Sequence, residues 1–234
     1  MIPVTQPGSL PGRTLSSPDN TTSAMGKASL SVNEVRDMML AAADKIIESE
    51  PILTDADRAL GDGDHGVGME RGMTAVKEAL AGKEFPSAGK VFVAVGTAMM
   101  SSMGGASGAI FGILFRSGGK AVGEAPEFTA SGLATLLREG TDQVMTKGAK
   151  PGDKTMVDAL FPAAAKAAEV SGQPINEALA AVAAAGAAGR DASKDMIATM
   201  GRAKTLGENS LGKPDAGAVS VAIILAAMSD YASA

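Results

Sequence analysis

From Ser31 onward, apolar residues recur at intervals of three and four positions. Val35, Met38, Met39, Ala42 and Ile46 fall on one helical face, and Ser31 with Glu34 has the spacing of a capping box at its start. The same period predicts helices over 69–80, 87–103, 106–116, 129–145, 154–169, 175–188 and 215–231, with a short one over 196–200. Almost no segment alternates with period two, so no sheet is expected. Breaks fall where Gly and Pro cluster: Gly82, 118–126, 148–152, 172–174 and 207–214. Pro51 ends the first helix. The stretch 54–68 reads as a loop, because Gly61, Gly63, Gly66 and Gly68 are poor helix residues. The pattern describes an all-α domain of about eight helices, with short connections favouring antiparallel neighbours. Segment 1–28 has neither this pattern nor a hydrophobic signal core; it is expected to be a flexible tail, leaving 29–234 as the helical domain.

Composition narrows the chemistry. At 234 residues, 45% of them hydrophobic, the chain can fill one core without a membrane segment. Its longest apolar run, Ala216 to Met228, contains Gly217 and Ser220 and is shorter than the roughly 20 residues that cross a bilayer. It reads as a buried helix. With no secretory signal and no membrane span, a cytoplasmic location is expected. Zero cysteines and a single histidine exclude disulfides, thiol catalysis and the usual zinc sites, leaving oxygen-ligated metals. A net charge of −5 and 3% aromatics argue against a nucleic-acid surface.

The densest polar cluster lies in TDADRALGDGDHGVG, which carries Asp55, Asp57, Asp62, Asp64 and His65. Carboxylates crowded in one loop either bind a hard cation through oxygen or serve as turn residues and N-caps in a solvated loop; the first is favoured. Glycines flanking Asp62 and Asp64 let the backbone turn and bring both carboxylates inward. GDGDHG satisfies G-x-G-x-x-G, but it follows a helical segment and sets two carboxylates where a pyrophosphate would lie, so a Rossmann site is excluded. The spacing of Asp62, Asp64 and Glu70 is not that of an EF-hand, and no P-loop occurs. A second glycine-rich element, Ser101 to Gly108, serves either as an anion site at a helix N-terminus or as a place of close helix packing. Arg202 is a candidate phosphate fork or a solvated cap partner. His65 either contacts phosphate or metal-bound water, or is a loop histidine pinned by a carboxylate. A serine triad is not expected, since the one imidazole has no activated serine beside it in sequence.

Four blocks, LGDGDHGVGMERG (60–72), SSMGGASGAIFG (101–112), KGAKPGDKTM (147–156) and GRAKTLGENSLGKPDAGAVS (201–220), together resemble the nucleotide-binding subunit of dihydroxyacetone kinases, the DhaL family. The blocks occur in the family's order, and the resemblance runs from about Ser31 to the end. The resemblance implies a barrel of eight antiparallel amphipathic helices, with ATP or ADP and two Mg²⁺ ions among the loops at one end. It matches Asp57, Asp62 and Asp64 to metal ligands and His65, Gly66, Val67 and Gly68 to a nucleotide-contacting loop. Many members carry a polar side chain where this chain has Gly68. Ala106 and Ser107 match donors to phosphate, Gly148 and Met156 match positions near base and ribose, and Arg202 with Pro214, Asp215 and Ala216 completes the set. The family's ketose-holding histidine has no counterpart, so the resemblance implies a ketose-binding partner subunit. It leaves open ATP as cosubstrate or a resident ADP recharged by a phosphotransferase-system phosphocarrier, and also a homodimer. A regulatory nucleotide- or lipid-binding module of the same fold is the alternative.

Overall fold

A computed structural model describes residues 1–3 and 27–234; most of the tail expected over 1–28 lies outside the described residues. Among those residues the chain forms nine α-helices: α1 (Val32–Glu48), α2 (Glu50–Arg58), α3 (His65–Leu80), α4 (Ala88–Ser102), α5 (Gly105–Val122), α6 (Ala130–Met145), α7 (Val157–Glu169), α8 (Ile175–Ala192) and α9 (Ala216–Ser233). Two 3₁₀ segments, Ser193–Asp195 and Arg202–Ser210, lie between α8 and α9.

Eight of these helices close a ring. Around it the neighbours are α1, α3, α4, α5, α6, α7, α8 and α9, and α9 returns to α1; the short α2 packs on α3 and α9 from outside. The expected all-α barrel of about eight helices is present. Each wall helix turns an apolar face inward, and Val35, Met38, Met39, Ala42 and Ile46 of α1 are all buried, as their spacing predicts. α9 is long and apolar enough to cross a membrane by composition, but 61% of it is buried within the fold. The wall is unusually close between α4 and α5. A Cβ on Gly96 would lie 2.4 Å from the Arg116 nitrogen and 2.6 Å from the Gly112 carbonyl oxygen, so the two backbones are in contact. Lost helix propensity at these glycines is offset by close packing.

Some boundaries differ from the expectation. Pro51 sits in the first turn of a new helix, α2, where its missing N–H costs nothing. The supposed loop 54–68 therefore shrinks to 59–64, because α3 begins at His65 and runs through Gly66 and Gly68. Segment 196–200 is not helical: the Ala198 N–H donates to the Ser210 hydroxyl (3.0 Å) and the Thr199 N–H to the Asp153 carbonyl (3.2 Å). These long-range partners replace a helical turn. A two-stranded antiparallel pair, β1 (Ser29–Ser31) and β2 (Glu127–Thr129), aligns Leu30 with Phe128. It escaped the period test because three residues are too few to alternate.

An up-and-down ring carries alternate connections to the same end. The α2–α3, α4–α5, α6–α7 and α8–α9 connections therefore share one end, and all four glycine-rich blocks lie on them.

Candidate functional site

At that end opens a cavity of about 650 Å³, within the range of small-molecule sites. Its floor is built from the acidic turn. Asp57 comes from the last turn of α2, while Asp62 and Asp64 flank Gly63, whose φ of +79° makes the tight reversal possible. One carboxylate oxygen from each of the three aspartates lies within 4.8 Å of the others. Asp57 also accepts the His65 N–H (3.2 Å), capping the first turn of α3. Asp64 occupies the N-cap position of α3 but makes no side-chain cap bond. Its carboxylate therefore remains available, and capping alone does not account for the cluster. Arg202 reaches across from the 3₁₀ segment to pair with Asp62 and lies 3.8 Å from Asp64. Three oxygen-only ligands at this separation suit a hard divalent ion such as Mg²⁺.

The opposite wall is the N-terminus of α5. Gly104 (φ +72°) and Gly105 (φ +61°) turn the chain into it, and Ala106 and Ser107 line the cavity. The first N–H groups of this helix have no partners within it, and its dipole favours negative charge there. Arg71 braces the approach from α3, donating to the Ser102 carbonyl (2.7 Å) and to the Met103 carbonyl. Its charge thus lies at the C-terminus of α4, where a cation is favourable.

His65 is buried at the first position of α3. Its Nε2 is 2.8 Å from the Ser220 hydroxyl of α9, and its Nδ1 is 3.4 Å from the Ser107 hydroxyl of α5. Burial pushes the imidazole pKa down, against the opposing pull of Asp57 and Asp64, which favours the neutral ring. The third side of the cavity contains Lys154, Thr155, Asp215 and Ala216. Lys154 is 1% exposed and is the one non-glycine residue with positive φ (59°) among the described residues. Its ammonium donates to the carbonyls of Ser193 and Lys213 (2.7 Å), joining two connections that are far apart in sequence. Burial lowers its pKa, opposed by Asp215, Asp158 and Asp195. Asp215 caps α9 by accepting the Ala218 N–H (2.8 Å). The residue is half-buried on the cavity wall. Burial pushes its pKa up to about 7; N–H bonds from Ala218 and Gly217 and the charge of Lys154 work against this, while Asp158 adds repulsion.

Eleven of the residues expected from sequence thus line one cavity: Asp57, Asp62, Asp64, His65, Val67, Gly68, Ala106, Ser107, Arg202, Asp215 and Ala216. Four lie outside its lining. A Cβ on Gly66 would lie 2.5 Å from the Glu50 carbonyl oxygen, so this glycine lets α3 close on α2. Met156 is buried and packs against Gly217, and Pro214 precedes the α9 cap. Gly148 is exposed; a Cβ there would lie 3.7 Å from the methyl of Met200, which does line the cavity. Sequence reasoning missed Arg71, Lys154 and Ser220. Each acts through long-range backbone or side-chain contacts that no local pattern reveals.

The DAK2 domain family matches residues 59–230. The chain is 35% identical over 188 residues to the ADP-binding subunit DhaL of a PEP-dependent dihydroxyacetone kinase from Listeria innocua, covering 79% of this chain and 89% of that one. It is 35% identical over 200 residues to the corresponding Escherichia coli subunit, covering 84% and 95%. Among solved structures, the native dihydroxyacetone kinase of C. freundii superposes with a TM-score of 0.65 at 25% identity over 96% of this chain. This chain spans 39% of that longer polypeptide.

Proposed function

The chain belongs to the DAK2-domain family, in its DhaL branch of ADP-binding kinase subunits, and on that footing we propose that it positions adenine nucleotide for phosphoryl transfer to a small ketose held by a partner subunit. The observation that carries this reading is the meeting of an acidic triad and a helix N-terminus across one cavity. Phosphoryl transfer needs chiefly alignment and charge neutralisation, and this pairing provides both. Asp57, Asp62 and Asp64 would hold Mg²⁺, as two ions, which neutralises phosphate charge when bound. The free N–H groups at Ala106 and Ser107 donate to the polyphosphate oxygens, and Arg202 supplies a fork donor at the opposite edge. Glycine at position 68 leaves room beside the nucleotide, since a Cβ there would meet nothing within 4 Å.

The Listeria and E. coli relatives are PEP-dependent. This favours a resident ADP recharged by a phosphocarrier over an exchangeable ATP. The partners are accordingly a ketose-binding subunit and a phosphotransferase-system phosphocarrier, in the cytoplasm where both are available. The lipid-binding alternative finds no support in the barrel interior, where the cavity lined by Leu114, Phe115, Leu136 and Ile224 measures about 20 Å³, room for about one water. Native mass spectrometry of the purified chain tests the proposal. Retained ADP with Mg²⁺ is the expected result, and a chain that neither retains nor takes up adenine nucleotide would refute it.

A further inference from the structure

The contacts of His65 form a chain whose hydrogen positions are interdependent. Ser220 Oγ lies 2.8 Å from His65 Nε2 and 3.1 Å from the Ala216 carbonyl oxygen. A serine hydroxyl has one proton, and a carbonyl can only accept. If that proton goes to Ala216, Ser220 must accept from Nε2–H. Nδ1 is then left with a lone pair, and Ser107, 3.4 Å away, must donate to it. If the Ser220 proton instead goes to Nε2, the imidazole carries its own proton on Nδ1 and donates to Ser107. The Ser107 proton is then free to point into the cavity. Ser220 is 0% exposed and His65 8%, so neither can readily exchange its partner for water. Ser107 is half-buried on the cavity wall and forms the open end of the chain.

We propose that Ser220 is a positioning residue: acting through His65, it sets whether Ser107 presents a lone pair or a proton to the cavity, and an anion at the start of α5 reverses the chain. Reversal costs little. The Ala216 carbonyl keeps its place in the helical ladder of α9, and every other donor keeps an acceptor. The inference rests on the proposed reading in one respect, that the phosphates of a nucleotide lie against Ser107.

His65 is the only histidine, so ¹⁵N-histidine labelling of the full chain yields a single pair of ring-nitrogen resonances. Without nucleotide the spectrum is expected to show the Nε2–H tautomer; saturating Mg-ADP should convert it to Nδ1–H. Ser220→Ala, a small change in a helix interior, should abolish the tautomer preference and weaken Mg-ADP binding roughly 3- to 10-fold with circular dichroism unchanged. Ser107→Ala should keep the Nε2–H tautomer and lose its response to Mg-ADP. An unchanged tautomer when calorimetry shows Mg-ADP bound overturns the proposal, as does a Ser220→Ala spectrum identical to the parent. Failure of the parent chain to bind Mg-ADP overturns the nucleotide reading and the anion-driven reversal. The nucleotide-free tautomer and its dependence on Ser220 are tested separately.

Discussion

Asp62→Asn distinguishes a cation site from a solvated turn, because the two readings predict opposite signs. Asp57, Asp62 and Asp64 hold carboxylate oxygens within 4.8 Å of one another. At that separation like charges repel by about 1 kcal/mol in bulk water and about 3.5 kcal/mol at an effective dielectric of 20. Asp62 and Asp64 retain 40% and 73% of their side-chain exposure, so the lower part of that range applies. Removing the Asp62 charge relieves two such pairs, about 2–3 kcal/mol in all. It also forfeits the exposed ion pair with Arg202, worth up to about 1 kcal/mol. The cation-free protein should therefore gain about 1–2 kcal/mol, and each kcal/mol raises Tm by about 2–4 °C in a domain of this size. The same substitution removes one of three charged ligands, and Mg-ADP affinity should fall at least about 100-fold, or about 2.7 kcal/mol. Thermal unfolding in EDTA and titration calorimetry with Mg²⁺ and ADP measure the two effects. Asp55→Asn is the matched control: Asp55 lies outside the triad, paired with Arg58 at 3.2 Å, and its loss should move neither quantity appreciably. Unchanged Mg-ADP affinity in Asp62→Asn, or a lowered Tm in EDTA, would refute the electrostatic argument.

Lys154→Met should cost about 2–3 kcal/mol in urea unfolding, since it leaves the buried carbonyl of Ser193 and the partly buried one of Lys213 without their donor. A midpoint equal to the parent's would mean that water replaces the ammonium. Gly68→Ala should stabilise the chain by about 0.5–1 kcal/mol, because a Cβ there meets open space within α3; a loss of stability would contradict that placement. Asp215 sets a pH dependence of definite sign. Its folded pKa, about 7, lies above its ordinary value of 3.8, so the folded state retains a proton that the unfolded chain releases. Its contribution is therefore fully favourable below about pH 4 and is lost as pH rises to about 7, a span of at most about 4 kcal/mol. Asp215→Asn, which can still cap α9, should improve stability relative to the parent more at pH 8 than at pH 5. Parallel urea curves at the two pH values would count against the raised pKa.

Much of the fold was legible because it is written in local chemistry. The inward face of α1 follows from apolar spacing and its start from the Ser31–Glu34 capping box. The acidic turn was legible for the same reason, since its three aspartates and the glycine that reverses the chain lie within eight consecutive residues. Pro51 misled because proline is equally at home in the first turn of a helix and just after the end of one. Gly66, Gly68 and the glycines of α4 and α5 weaken a helix considered alone; only a neighbouring backbone at contact distance shows why several of them are there.

The amino-acid sequence by itself determined the eight wall helices, their amphipathic faces and an acidic, glycine-hinged turn, because each depends on residues a few positions apart. The tertiary structure decided that α9 returns to α1, so that the ring closes and all four loop blocks meet at one end. It also decided the ties that shape the cavity: Arg71 to the end of α4, Lys154 to two carbonyls of the α8–α9 connection, and His65 to a serine 155 positions away. These bonds require groups that approach only when the chain has folded, and their directionality leaves no periodic trace in the sequence.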